Sequence, residues 1–107
     1  MGGLTELFGE LRWLRKLWLY ECNLSELPDS IGNLKKLVWL YINSNEIEML
    51  PDSIGELVSL ERFNASHNKL KSVPETIIKP RNLEELSIHG NNLDHISSIR
   101  KFLSRDS

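Results

Sequence analysis

Leu14-Arg15-Lys16-Leu17-Trp18-Leu19-Tyr20-Glu21-Cys22-Asn23-Leu24 is the stretch on which the fold turns, because its apolar frame returns three more times. The frame L-x-x-L-x-L-x-x-C-x-L becomes Leu37-x-x-Leu40-x-Ile42-x-x-Asn45-x-Ile47, then Leu60-x-x-Phe63-x-Ala65-x-x-Asn68-x-Leu70. It closes with Leu83-x-x-Leu86-x-Ile88-x-x-Asn91-x-Leu93. Each copy lies 23 residues after the last. A fixed period of this length marks a stack of like units, none of which can bury its apolar face alone.

The second half of the unit repeats as well. Leu27-Pro28-Asp29-Ser30-Ile31-Gly32-x-Leu34 recurs as Leu50-Pro51-Asp52-Ser53-Ile54-Gly55-x-Leu57, and more loosely as Val73-Pro74-Glu75-Thr76-Ile77-Ile78-x-Pro80. One period before Leu27 stand Leu4, Phe8, Gly9 and Leu11, the trailing half of a preceding unit. Within Leu17-Trp18-Leu19 two inward residues bracket an outward one, the two-residue period of a strand. Parallel stacking of the units then places Leu17, Leu40, Phe63 and Leu86 in one buried column, with Leu19, Ile42, Ala65 and Ile88 in the next. The Pro-Asp-Ser-Ile-Gly half predicts a turn entering a short helix or 3₁₀ segment, with Pro at its first position and Asp beside the exposed amides. Ile31, Leu34, Ile54 and Leu57 are predicted to point inward.

On these residues the chain resembles the leucine-rich repeat, and its L-P-x-x-I-G-x-L half is similar to the intracellular Ras-associated and LAP scaffold type. The resemblance covers Leu4 to Leu93. It implies an α/β, right-handed solenoid with parallel strands on the concave face and short helices or 3₁₀ turns on the convex face. It also implies that Asn45, Asn68 and Asn91 bond the backbone of neighbouring coils, and that Cys22, in the same column, is structural. One domain, 1–107, is expected: a partial repeat at 1–13, repeats at 14–36, 37–59 and 60–82, and a last repeat with its cap at 83–107. The cap is a helix over about 97–104, where Ile99, Phe102 and Leu103 keep helical spacing. The N-terminal side has no comparable cap, which leaves self-association through that end as one expectation.

Bulk properties narrow the function. A net charge of −2 over 107 residues carries no broad attraction to nucleic acid or to acidic membranes, and neither is expected as a partner. No apolar run is long enough to cross a bilayer, and the first residues have no signal-peptide pattern. The lone Cys22 favours a reducing compartment, so a cytoplasmic location is expected. The sequons at Asn23 and Asn64 are read as chance products of an Asn- and Ser-rich repeat.

The candidate site lies on the outward strand positions. Trp18, Tyr41, Asn64 and Ser87 form the central column, Tyr20, Asn43, Ser66 and His89 the next, and then Glu21, Ser44, His67 and Gly90. Lys16, Trp39, Arg62 and Glu85 precede them. Strands about 4.8 Å apart predict one aromatic patch of Trp18, Tyr20, Trp39 and Tyr41, with Lys16 and Arg62 stacked on Trp39. Exposed Trp and Tyr clusters dominate binding hot spots. A protein-binding surface of Trp18, Tyr20, Trp39, Tyr41, Asn43, Arg62, Asn64, His67 and His89 is therefore expected. The competing reading is that these rings pack on a missing repeat, which suits Trp13 best. His67 and His89 are expected side by side, but with no third ligand in register they make no metal site. No catalytic residue and no cofactor are expected. The chain reads as a protein-interaction module in intracellular signalling or scaffolding rather than an enzyme. The alternative is a recognition segment of a larger enzyme or immune-type receptor.

Overall fold

The computed structural model describes residues 7–93. Four three-residue strands form one parallel sheet in sequence order: β1 (Lys16–Trp18), β2 (Trp39–Tyr41), β3 (Arg62–Asn64) and β4 (Glu85–Ser87). The 3₁₀ turn η1 (Leu7–Glu10) precedes β1, and η2 (Asp29–Asn33), η3 (Asp52–Glu56) and η4 (Glu75–Ile78) run between successive strands. The register is the 23-residue repeat itself: Leu17 pairs with Leu40, Leu40 with Phe63, and Phe63 with Leu86. Each coil thus lies on its predecessor with every landmark aligned. The helical cap expected over 97–104 and the start of the partial repeat lie outside the described residues.

Alternation builds the core. Leu40, Phe63 and Leu86 point in from the strands, with Ile42, Ala65 and Ile88 one step on, and all six are buried. Ile31, Leu34, Ile54, Leu57 and Ile77 meet them from the 3₁₀ side. Leu17 and Leu19 are only half-buried, because β1 has a sheet neighbour on one side alone among the described residues.

The convex segments are 3₁₀ because their bonds close three residues back. The N–H of Ile31 donates to the Pro28 carbonyl, that of Leu34 to Ile31 and that of Leu37 to Leu34, each at 3.1 Å. Such tight turns stay short, which keeps each coil to 23 residues. Pro28 and Pro51 stand one residue earlier than expected: they are the extended residues before the turn, with ψ of 156° and 150°, not its first members. Proline's fixed φ suits either place, so sequence alone does not separate them.

Gly55 explains the glycine of the repeat. A Cβ there would lie 2.5 Å from the Thr76 carbonyl oxygen in the next coil. The absent side chain lets η3 and η4 approach directly, and Thr76 Oγ1 reaches back to donate to the Asp52 carbonyl at 2.8 Å.

Polar bonds tie the coils together at the strand exits. Asn45 Oδ1 accepts the N–H groups of Cys22 and Leu24 at 2.8 and 3.0 Å, while its Nδ2 donates to the carbonyls of Leu19 and Ile42. Asn68 and Asn91 repeat this reach. Each asparagine satisfies backbone groups that the strand ladder leaves open.

Candidate functional site

The same register that buries the core sets out the opposite face. One row across the strands reads Lys16, Trp39, Arg62, Glu85, and the next Trp18, Tyr41, Asn64, Ser87. Side chains on a strand alternate between faces, so Trp39 and Tyr41, two residues apart, rise side by side while Leu40 between them is buried. Trp18 joins them from β1.

The three rings form a nearly equilateral group. Ring centroids are 6.1 Å apart for Trp18 and Trp39, 6.0 Å for Trp18 and Tyr41, and 6.2 Å for Trp39 and Tyr41. Their planes differ by 20° to 38°, so the rings stand roughly parallel rather than walling a cage. Trp18 stays 61% exposed, whereas Trp39 and Tyr41 are half-buried by their neighbours. Cations cover Trp39 from both adjacent strands. Lys16 Nζ lies 4.0 Å from its ring centroid and the Arg62 guanidinium carbon 5.1 Å from it. Both contacts are within cation–π range. Arg62 also meets the Glu85 carboxylate at 3.8 Å, an exposed pair of little energetic weight.

Tyr20 departs from the expected four-ring patch. Among the described residues its ring touches none of the other three, and its phenol pairs instead with Glu21, whose carboxylate raises the Tyr20 pKa above its usual value near 10. The local cause is backbone. Glu21 and Asn23 have φ of 51° and 58°, so the chain has already turned out of the strand where Tyr20 stands.

Ser66 is a second correction. Its column was expected outward, but Ser66 is buried, with its N–H and Oγ both donating to Asn64 Oδ1 at 2.9 and 2.6 Å. Asn64 is thereby fixed at the margin of the aromatic group. Asn43 is half-buried on the same side, and its carbonyl accepts from Glu21 and Asn45.

His67 and His89 are neighbours as expected, their ring centroids 5.1 Å apart and perpendicular. The His67 ring packs over Gly90, where no Cβ would fit, and Gly90 itself has φ of 72°. Glu21, Ser44, His67 and Gly90, one per repeat, all adopt the left-handed conformation. Sequence hides this turn, because only one of the four is glycine. Among the described residues no three His, Cys, Asp or Glu side chains gather as a metal-binding group. Cys22 is a free, exposed thiol whose Sγ donates to the Tyr20 carbonyl at 3.4 Å. Trp13 is 66% exposed and stands apart from the ring group.

A coiled stack in one register, with an asparagine ladder at the strand exits, is the frame that comparison with known proteins meets. A family model described as a leucine-rich repeat region matches residues 4–104. The chain belongs to the leucine-rich repeat family. Among solved structures it is similar to a leucine-rich repeat protein of Leptospira interrogans, with 31% identity and a TM-score of 0.86 over 96% of this chain. It spans about a quarter of that protein, 26%. An internalin of Listeria monocytogenes shares the fold alone, with 17% identity and a TM-score of 0.53, over 90% of this chain and 34% of the internalin. No curated protein matches the chain. Leucine-rich repeat domains generally act as protein-interaction modules rather than as enzymes.

Proposed function

We propose that this leucine-rich repeat domain binds a protein partner on its concave face, with Trp18, Trp39 and Tyr41 at the centre of the contact. The single observation that carries the reading is the close group of three rings on the strand face, with Trp18 still mostly open to water. A large amphipathic ring held by its neighbours offers contact area at little cost in conformational freedom. Arg62, Asn64 and Asn43 supply a polar rim, while His67 and His89 extend it toward β4. The free thiol of Cys22 supports a reducing, cytoplasmic setting, and with it a signalling or scaffolding role.

The test is capture of partners on the immobilised chain, compared between wild type and the double variant Trp18→Ala/Tyr41→Ala. The variant loses the specific partner while its far-ultraviolet circular dichroism and unfolding midpoint stay near those of wild type. Undiminished capture by a folded variant overturns the site. A second reading, in which these residues are the recognition segment of a longer receptor or enzyme, draws on the match that spans 26% of the Leptospira protein. It leaves the surface assignment unchanged.

A further inference from the structure

Resting on that docking reading, we infer that the segment received over Trp39 is an extended acidic peptide in which two carboxylates, three residues apart, flank proline or another flat apolar residue. The inference starts from the row Lys16–Trp39–Arg62, in which one ring carries a cation from each side. Among the described residues Lys16 makes no ion pair, and Arg62 has only the exposed carboxylate of Glu85. A partner that removes water from Trp39 also removes it from these two charges. Desolvating an ammonium and a guanidinium without compensation opposes binding. A cationic occupant adds repulsion, so a quaternary ammonium ligand does not suit these rings despite their number. An occupant with carboxylates converts the same penalty into attraction and fixes its own register.

Spacing selects the form of the peptide. Lys16 and Arg62 lie two strands apart, about 10 Å at the backbone. A polyproline II chain rises about 3.1 Å per residue, so side chains at i and i+3 are about 9 Å apart. Two residues of the same chain advance about 6 Å, which matches the 6.0 to 6.2 Å between the ring centroids. Stiff, flat pyrrolidine rings on aromatic side chains are a recurrent mode of peptide recognition. Stacked rings with nearby cations also suit single-stranded nucleic acid. A phosphodiester chain, however, bears charge at every nucleotide and would run onto the Glu85 carboxylate at the β4 end of the row. The chain as a whole is also negative. A peptide can put its charges at two places only.

The experiment uses the full 107-residue chain and nuclear magnetic resonance, reading the indole N–H signals of Trp18 and Trp39. Probes are Gly/Ser-flanked dodecapeptides centred on Glu-Pro-Pro-Glu, Gln-Pro-Pro-Gln or Lys-Pro-Pro-Lys, together with a twelve-residue oligothymidine, each added to about 5 mM so that weak binding registers. The acidic peptide shifts both indole signals and binds about tenfold more tightly than the glutamine peptide, an advantage that shrinks as salt rises. Lys16→Ala and Arg62→Ala each reduce that preference severalfold, and Trp13, outside the group, stays unshifted. Equal binding of the acidic and glutamine peptides overturns the inference, as does absence of acidic-peptide binding or tighter binding of the oligothymidine. If the acidic peptide fails while Trp18→Ala/Tyr41→Ala still abolishes partner capture, only the acidic inference falls. If that double variant captures normally, the docking reading falls with it.

Discussion

Asn68 Nδ2 donates at 3.0 Å to the carbonyl of Ile42, 26 residues earlier, and so pins one coil of the solenoid to the coil before it. The same amide group donates to the Ala65 and Ser66 carbonyls, and Oδ1 accepts the Ile47 N–H at 3.1 Å. Truncation to Asn68→Ala strands several buried backbone groups at once. A loss of about 2–4 kcal/mol is expected, read as a fall in the urea midpoint. Asn68→Asp is expected to be at least as damaging, because the carboxylate keeps the acceptor but loses every donor. An unchanged midpoint in both variants would remove the asparagine ladder as a source of stability.

Gly55→Ala tests the convex side. The added methyl meets the Thr76 carbonyl oxygen and Cβ, at 2.5 and 2.6 Å, in the adjoining coil. Backbone cannot swing away as a flexible side chain can, so η3 and η4 must part. Overpacking of this kind costs about 1–3 kcal/mol. Thr76→Ser in the same background is not expected to restore stability, since the carbonyl obstructs regardless of the side chain. A full rescue by Thr76→Ser would show that the methyl group, not the backbone, sets the spacing.

Most of the fold was legible because a solenoid writes its register into sequence. The spacing of Leu17, Leu40, Phe63 and Leu86 predicted the pairing, and the Asn45, Asn68 and Asn91 column implied its polar bonds. Trp39 between Lys16 and Arg62 followed from the same register. What escaped was local backbone shape. Nothing in Glu21, Ser44 or His67 announces a left-handed residue, and that turn separates Tyr20 from the other rings. Ser66 was misplaced for a similar reason: beyond the three-residue strand, two-residue alternation stops assigning faces, and a side-chain bond to Asn64 takes over. The aromatic group itself was visible in sequence, since each ring lies within the regular strand or directly across from one.

Ser53 offers a test in the opposite direction. Its Oγ is a buried side-chain polar atom with no hydrogen-bond partner, although Thr76 at the equivalent position one coil on donates to the Asp52 carbonyl. A desolvated hydroxyl without a partner detracts from stability. Ser53→Ala is therefore expected to be neutral or to stabilise by up to about 1 kcal/mol, in contrast to Thr76→Ala, which breaks a bond between coils. Thermal unfolding of the two variants under identical conditions separates them. A marked loss of stability in Ser53→Ala would mean that the hydroxyl is satisfied in solution.

Tyr20 and Glu21 make a pH-dependent pair. The phenol bonds the neighbouring carboxylate, and ionisation would set two negative charges together, so the Tyr20 pKa is raised above its ordinary value near 10. The sign follows from linkage. Below about pH 10 the phenol is protonated in both folded and unfolded chains and contributes nothing to the pH dependence of stability. As pH rises through that value the unfolded chain releases its proton first, so the folded state loses ground. Tyrosinate absorbance isolates the group in a Tyr41→Phe background, because the chain has only two tyrosines. Adding Glu21→Gln is expected to move the remaining transition down toward pH 10. The bond to the carboxylate raises the pKa most and the Coulombic repulsion adds to it, so removing the charge should act on both at once. An unmoved transition would show that Glu21 does not hold the phenol.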